Sequence, residues 1–305
     1  MKYQIISMAI LLLAGKNCLF SQTYSSNQGP TCYYDLEKAL ENPAMVENFS
    51  YRMKDKEFLS SKIGMLSMLK ILDLKGNGLY QLPTEIGRLA RLENLILSEN
   101  HLTRLPESII GWENISFLQV DNNQLVELPQ SFTSLKSLTI FDASWNNLSS
   151  IPEDISALSE LRFLGLEHNA LLSLPTSITQ LTSLKILELN HNQLIAIPMN
   201  WKKMKALTQV QLSYNLISDF PSQFNVCKSL TSLDLSFNRI EQVNFSKGEF
   251  KSLQSLNLAS NQLKHLPSGL EKLPSLTTLI LSGNSIPLSE IEDFKSQHPS
   301  IQLLY

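Results

Sequence analysis

Residues 161–183 read LRFLGLEHNALLSLPTSITQLTS, and the fold follows from the spacing inside that stretch. Leu164 and Leu166 alternate with other residues, as a strand with one buried face requires. Leu171, Leu174, Ile178 and Leu181 then recur at three- and four-residue intervals, with Pro175 opening a short helical turn where its missing N–H is no loss. The stretch is therefore strand, turn, arc, turn, with Asn169 at the first turn. Working outward, asparagines stand at 77, 100, 123, 146, 169, 192, 215, 238, 261 and 284, every interval being 23, and each follows apolar residues eight, five and three positions earlier. One such unit cannot bury its own leucines. Stacked units place their strands about 4.8 Å apart in a parallel sheet with the leucines turned inward. The asparagine amide donates and accepts at once, so a column of them pairs the turn backbones of neighbouring units where no strand ladder reaches.

The composition agrees with a repeat. Of 305 residues 56 are leucine, while Gly totals 11, Pro 13 and Cys 3, which excludes a disordered, collagenous or disulfide-stapled chain. A net charge of −3 carries no basic excess for neutralising phosphates, so nucleic acid is excluded as the expected partner.

The consensus LxxLxLxxNxLxxLPxxIxxLxx resembles the leucine-rich repeat family, in the 23-residue form with Leu-Pro on its outer arc that occurs in Ras-pathway scaffolds and exported bacterial repeat proteins. The resemblance covers residues 46–305. It implies an α/β leucine-rich repeat solenoid: a curved right-handed coil with a parallel β-sheet on the concave face, short helical or 3-10 turns on the convex face, and caps at both ends.

The ends depart from the repeat. Lys2, the apolar run Ile5–Ala14 and the polar step to Ser21 have the three-part shape of a secretory signal peptide, so residues 1–21 are expected to be removed. That takes away two lysines and no acid, and the charge falls from −3 to −5. Residues 22–45 form an N-terminal cap region, with a short helix opened by Asp35 and stopped by Asn42-Pro43. Residues 46–286 hold the array, one degenerate unit around Lys54 and ten full ones, and residues 287–305 form a C-terminal cap. In the eighth full unit Asn244 replaces the proline and Lys247 the inward Ile, so the outer arc there should differ. Cys32 and Cys227 are separated by many strands and are expected to be free structural thiols.

The candidate site is read from alternation. Positions two, four and six before each asparagine face the concave side, because the inward leucines take the alternate places. The middle of that face is acidic, with Asp121, Asp142, Glu167, Glu188 and Asp234. One before the asparagine run Trp145, His168, His191, Tyr214 and Phe237 in five successive units, and six before run Phe117, Ile140, Phe163 and Ile186. Rings beside carboxylates and an apolar row make a hot spot for a protein or peptide segment with basic and apolar groups.

No HExxH, GxSxG, phosphate loop, CxxC or dinucleotide fingerprint occurs, so no catalytic, cofactor or metal residue is assigned. His168 and His191 beside Glu167 and Glu188 lack the third ligand and supporting groups of a zinc site and read better as two rings of the stripe. The expected protein is a non-catalytic recognition scaffold, secreted or in the cell envelope, with no transmembrane segment in the mature chain; the alternative is an intracellular signalling scaffold like the Ras-pathway relatives.

Overall fold

The computed structural model describes residues 32–305. The expected leader 1–21 and the first part of the 22–45 cap region lie outside the described residues. The chain divides into two compact units, one made of residues up to 124 with 129–142, the other of 125–128 with 143–305.

In the first unit six strands follow one another: β1 (Cys32–Tyr33), β2 (Asn48–Ser50), β3 (Ile71–Asp73), β4 (Asn94–Ile96), β5 (Phe117–Gln119) and β6 (Ile140–Asp142). They pair in parallel, and from β2 onward the register is the sequence period, as in Phe117 opposite Ile140. Only β1 breaks it, with Cys32 opposite Asn48. Helix α1 (Leu36–Glu41) fills the step between β1 and β2, capped by the Asp35 carboxylate, which accepts from the Lys38 N–H at 3.1 Å.

The second unit repeats the plan with β7 (Phe163–Gly165), β8 (Ile186–Glu188), β9 (Gln209–Gln211), β10 (Ser232–Asp234), β11 (Ser255–Asn257), β12 (Thr278–Ile280) and β13 (Gln302–Leu304), all parallel. Helix α2 (Leu288–Gln297) buries Ile291 before the chain closes on β12 through β13. Each unit is a leucine-rich repeat solenoid, strands on one side and 3-10 turns on the other.

Proline sets those turns. Pro83, Pro106, Pro129 and Pro175 stand directly before the 3-10 segments Thr84–Arg88, Glu107–Gly111, Gln130–Ser134 and Thr176–Gln180. The proline carbonyl accepts from the N–H three residues on, as Pro175 does from Ile178 at 3.2 Å. That isoleucine is buried, and so are the strand leucines, each contributing about 1.5–3 kcal/mol of transfer free energy. The eighth full unit forms no 3-10 turn: Lys247 is exposed, Asn244 makes a parallel bridge to Ser268, and Phe245 and Phe250 fill the core edge-on to Phe220 at 5.4 and 5.8 Å.

The asparagines bond as a ladder. Asn192 Nδ2 donates to the carbonyls of Leu166 (2.9 Å), one unit back, and Leu189 (3.1 Å), in its own turn, while its Oδ1 accepts from the Leu171 N–H at 3.0 Å. The same set recurs along each unit, as at Asn100 and Asn238. Asn169 makes it too, but it is half-buried.

Candidate functional site

The residue before each asparagine must redirect the chain, and it does so in the left-handed region. Trp145, His168, His191, Tyr214 and Phe237 have φ of 57°, 50°, 52°, 55° and 53°. For a residue with a Cβ this costs roughly 1–2 kcal/mol. Two interactions offset it. Each amide donates to a carbonyl of the following turn, from Trp145 to Glu167 at 2.8 Å through Phe237 to Ala259 at 2.8 Å. Each ring then lies on the ring of the next unit.

The result is a column of five rings within the second unit. Centroids are 3.6 Å apart from Trp145 to His168, 3.9 Å from His168 to His191, and 4.0 Å at both the His191–Tyr214 and Tyr214–Phe237 steps, with planes 9–15° from parallel. Free ring pairs prefer centroids about 4.5–7 Å apart, offset or edge-to-face. This near-eclipsed stack is therefore imposed by the backbone repeat. The column ends at Phe237, since the next unit carries Ser260 at that place.

The expected stripe exists, but it presents rims rather than faces. Trp145, Tyr214 and Phe237 are each 43% exposed and the two imidazoles are half-buried. Along the interior of the column the faces are covered by one another, so a ligand meets ring edges and the indole, imidazole and phenol heads.

The five acids are held differently. Glu188 was expected on the surface to meet a basic partner, yet it is 3% exposed and accepts from Gln211 Nε2 at 3.2 Å, because sheet-face neighbours one strand away close over it. Asp234 is tied into the sheet face: it accepts from the Ser236 N–H and hydroxyl at 2.9 and 2.7 Å and from Asn257 Nδ2 at 3.1 Å. Glu167 is half-buried, beside His168, and its carboxylate hydrogen-bonds to none of the described residues. Asp121 and Asp142 belong to the first unit. Asp121 accepts from the Ser98 hydroxyl and from Asn122 Nδ2, and Asp142, half-buried at the end of β6, accepts from the Val120 N–H through its carbonyl.

The expected apolar row is mostly closed. In the first unit Phe117 and Ile140 are 4 and 3% exposed, covered by same-face side chains on adjacent strands of that unit; in the second Phe163 is 3% exposed and Ile186 half-buried. What remains open in the second unit is the ring column with Glu167. Burial first, and then the neighbouring His191, push the His168 imidazole below its ordinary pKa, against the pull of Glu167. Among the described residues no group of three or more His, Cys, Asp or Glu is placed to hold a metal ion.

Residues 46–151 match the family described as leucine-rich repeat region, and residues 182–240 and 228–286 match leucine rich repeat. The chain belongs to the leucine-rich repeat family. Among solved structures it is similar to a leucine-rich repeat protein of Leptospira interrogans, at 26% identity over 90% of this chain and 100% of that one, with a TM-score of 0.54. It is also similar to a plant peptide hormone receptor, RGFR1, in complex with RGF2, at 27% identity and a TM-score of 0.62 over 78% of this chain, spanning 43% of the receptor's. The Arabidopsis receptor kinase HAESA, in complex with the peptide hormone IDA and the co-receptor SERK1, shares the fold at 22% identity and a TM-score of 0.72, over 90% of this chain and 47% of that one. No curated protein matches the sequence.

Proposed function

We propose that this protein is an exported, non-catalytic scaffold that binds a protein or peptide on its sheet face, the concave side of solenoids of this kind. The observation that carries the reading is the ring column, which holds three large aromatic side chains 43% exposed on a rigid backbone. Rigid, pre-positioned aromatics lose little entropy on binding and are the residues in which interface energy concentrates. Glu167, half-buried beside the column and without a hydrogen-bond partner among the described residues, supplies the charge that favours a ligand carrying Lys or Arg. The similarity to a peptide hormone receptor in complex with RGF2 is consistent with this use. Export rests on the expected leader, residues 1–21.

Affinity capture from the cell's own envelope and medium tests the reading, with the chain from Gln22 as bait. Wild type and Gln180→Ala, a change on the 3-10 side, should retain the same ligand, whereas Tyr214→Ala should weaken it by more than about 1 kcal/mol with the fold intact. A Tyr214→Ala bait that captures as wild type does overturns it. For export, N-terminal sequencing of the envelope and medium protein should begin near Gln22, and retention of residues 1–21 would contradict it.

A further inference from the structure

Two imidazoles sit face to face at the centre of the column. His168 and His191 have centroids 3.9 Å apart and planes 13° apart. Each is closed on its other face by a larger ring, Trp145 at 3.6 Å and Tyr214 at 4.0 Å. Their backbones are held as well, His168 donating to the Asn190 carbonyl at 2.9 Å and His191 to the Ser213 carbonyl at 2.8 Å. The pair cannot drift apart at its base.

The charged and titratable groups around the pair are few. Glu167 lies in the same turn as His168, and its charge is felt at that ring. On the far side stands the Tyr214 ring. Glu188, in β8 ahead of His191, is buried and bonded by Gln211. Asn190 and Ser213, bonded to each other at 2.8 Å, bring no charge, and neither does Trp145.

We infer that the His168–His191 pair makes the ring column a proton-sensitive element, which takes up one proton as the pH falls, resists the second, and parts when the second is forced in. One imidazolium is well placed. It lies against the face of Trp145 or Tyr214, a cation–π arrangement, and has Glu167 close by. The second proton puts two positive charges 3.9 Å apart with no group between them and, among the described residues, only one nearby carboxylate left open to answer them. Interaction of this kind splits a titration into two steps that belong to the pair rather than to either ring. Because the backbones are pinned, relief comes from the side chains swinging out of the stack, which uncovers the Trp145 face. The inference concerns the column itself and holds whether or not a ligand docks on it.

The sign of the stability change follows from His168. Its folded-state pKa is lowered, so the fold favours the neutral ring. The contribution is fully present above the ordinary His value of about 6.5 and is lost as the pH falls from there through the lowered folded value.

An NMR titration of the intact folded chain, following the ring Hε1 signals, tests this, with the chain's three other histidines, His101, His265 and His298, as internal references. His168 and His191 should each show a biphasic curve, the two steps more than about one pH unit apart. In His191→Phe, which keeps a ring in the stack, His168 should titrate in one step with its midpoint raised; His168→Phe should likewise make His191 monophasic. Iodide quenching reads the parting, since Trp112 and Trp201 are fully buried and only Trp145 is accessible. Quenching should rise with the second step in wild type and stay flat in both Phe variants. Single independent steps whose midpoints do not move in the Phe variants, or quenching that does not follow the second step, would overturn the inference.

Discussion

Asn192 and Asn169 make equivalent hydrogen bonds but differ in burial, and that difference predicts a difference in cost. Removing the Asn192 amide orphans the Leu166 and Leu189 carbonyls and the Leu171 N–H in a buried turn, so Asn192→Ala should lose about 1–3 kcal/mol in urea unfolding. Asn169→Ala should lose less, because water reaches the half-buried turn and satisfies part of what is left. Unchanged stability in the Asn192 variant would remove the ladder's structural role. The ladder was legible in the sequence because ten asparagines at nine successive 23-residue intervals have one physical reading. The left-handed backbone of the ring positions was legible too, though through other residues: Gly76, Asn122 and Gly283 occupy the same column, and glycine and asparagine are the types that tolerate positive φ. The burial of Glu188 was not legible, since it depends on which neighbours lean over it.

The 3-10 segments and the terminal helix show how whole elements are held. In the first unit Thr84–Arg88 and Glu107–Gly111 pack so closely that a Cβ at Gly111 would run into the Gly87 carbonyl oxygen. Gly111→Ala should therefore destabilise by about 1–3 kcal/mol in denaturant unfolding, and a neutral result would show that the turns can separate without cost. Alternating leucines announce the strands, but this contact has no periodic signal, and it emerges only once the turns are stacked. At the other end the Glu290 carboxylate of α2 accepts from the Leu266 N–H at 2.9 Å and contacts His265 Nδ1 at 2.8 Å. Those hydrogen bonds, the Leu266 N–H first, hold its pKa below the ordinary glutamate range. A lowered carboxyl pKa stabilises above its unfolded value near 4.5 and loses that contribution as the pH falls through the folded value. Thermal unfolding should thus separate wild type from Glu290→Gln at pH 7 and bring the two together at pH 3; an equal gap at both would assign the clasp to packing alone.

At the scale of the whole molecule, each compact unit rests on its own stack of buried leucines. Cys227 is a buried thiol outside any disulfide, and burial pushes it up to about 12. Iodoacetamide at pH 8 should leave Cys227 unmodified in the native protein and label it in urea; native labelling would place that repeat among the readily opened ones. The repeat dictated the fold almost completely, because each level of the sequence, from leucine spacing to proline placement, points to the same solenoid. The candidate site was legible only as columns. Alternation told which residues share the sheet face, whereas the near-eclipsed stacking of the rings and the closing-over of Phe117, Ile140, Phe163 and Glu188 arise from strands a few ångströms apart. The ring column is the proposed docking surface. Hydrogen-exchange mass spectrometry of the protein with and without its captured ligand tests this most directly: exchange should slow in the turns around Trp145, His168, His191, Tyr214 and Phe237 with the 3-10 segments unchanged, and protection confined to the 3-10 segments would contradict it.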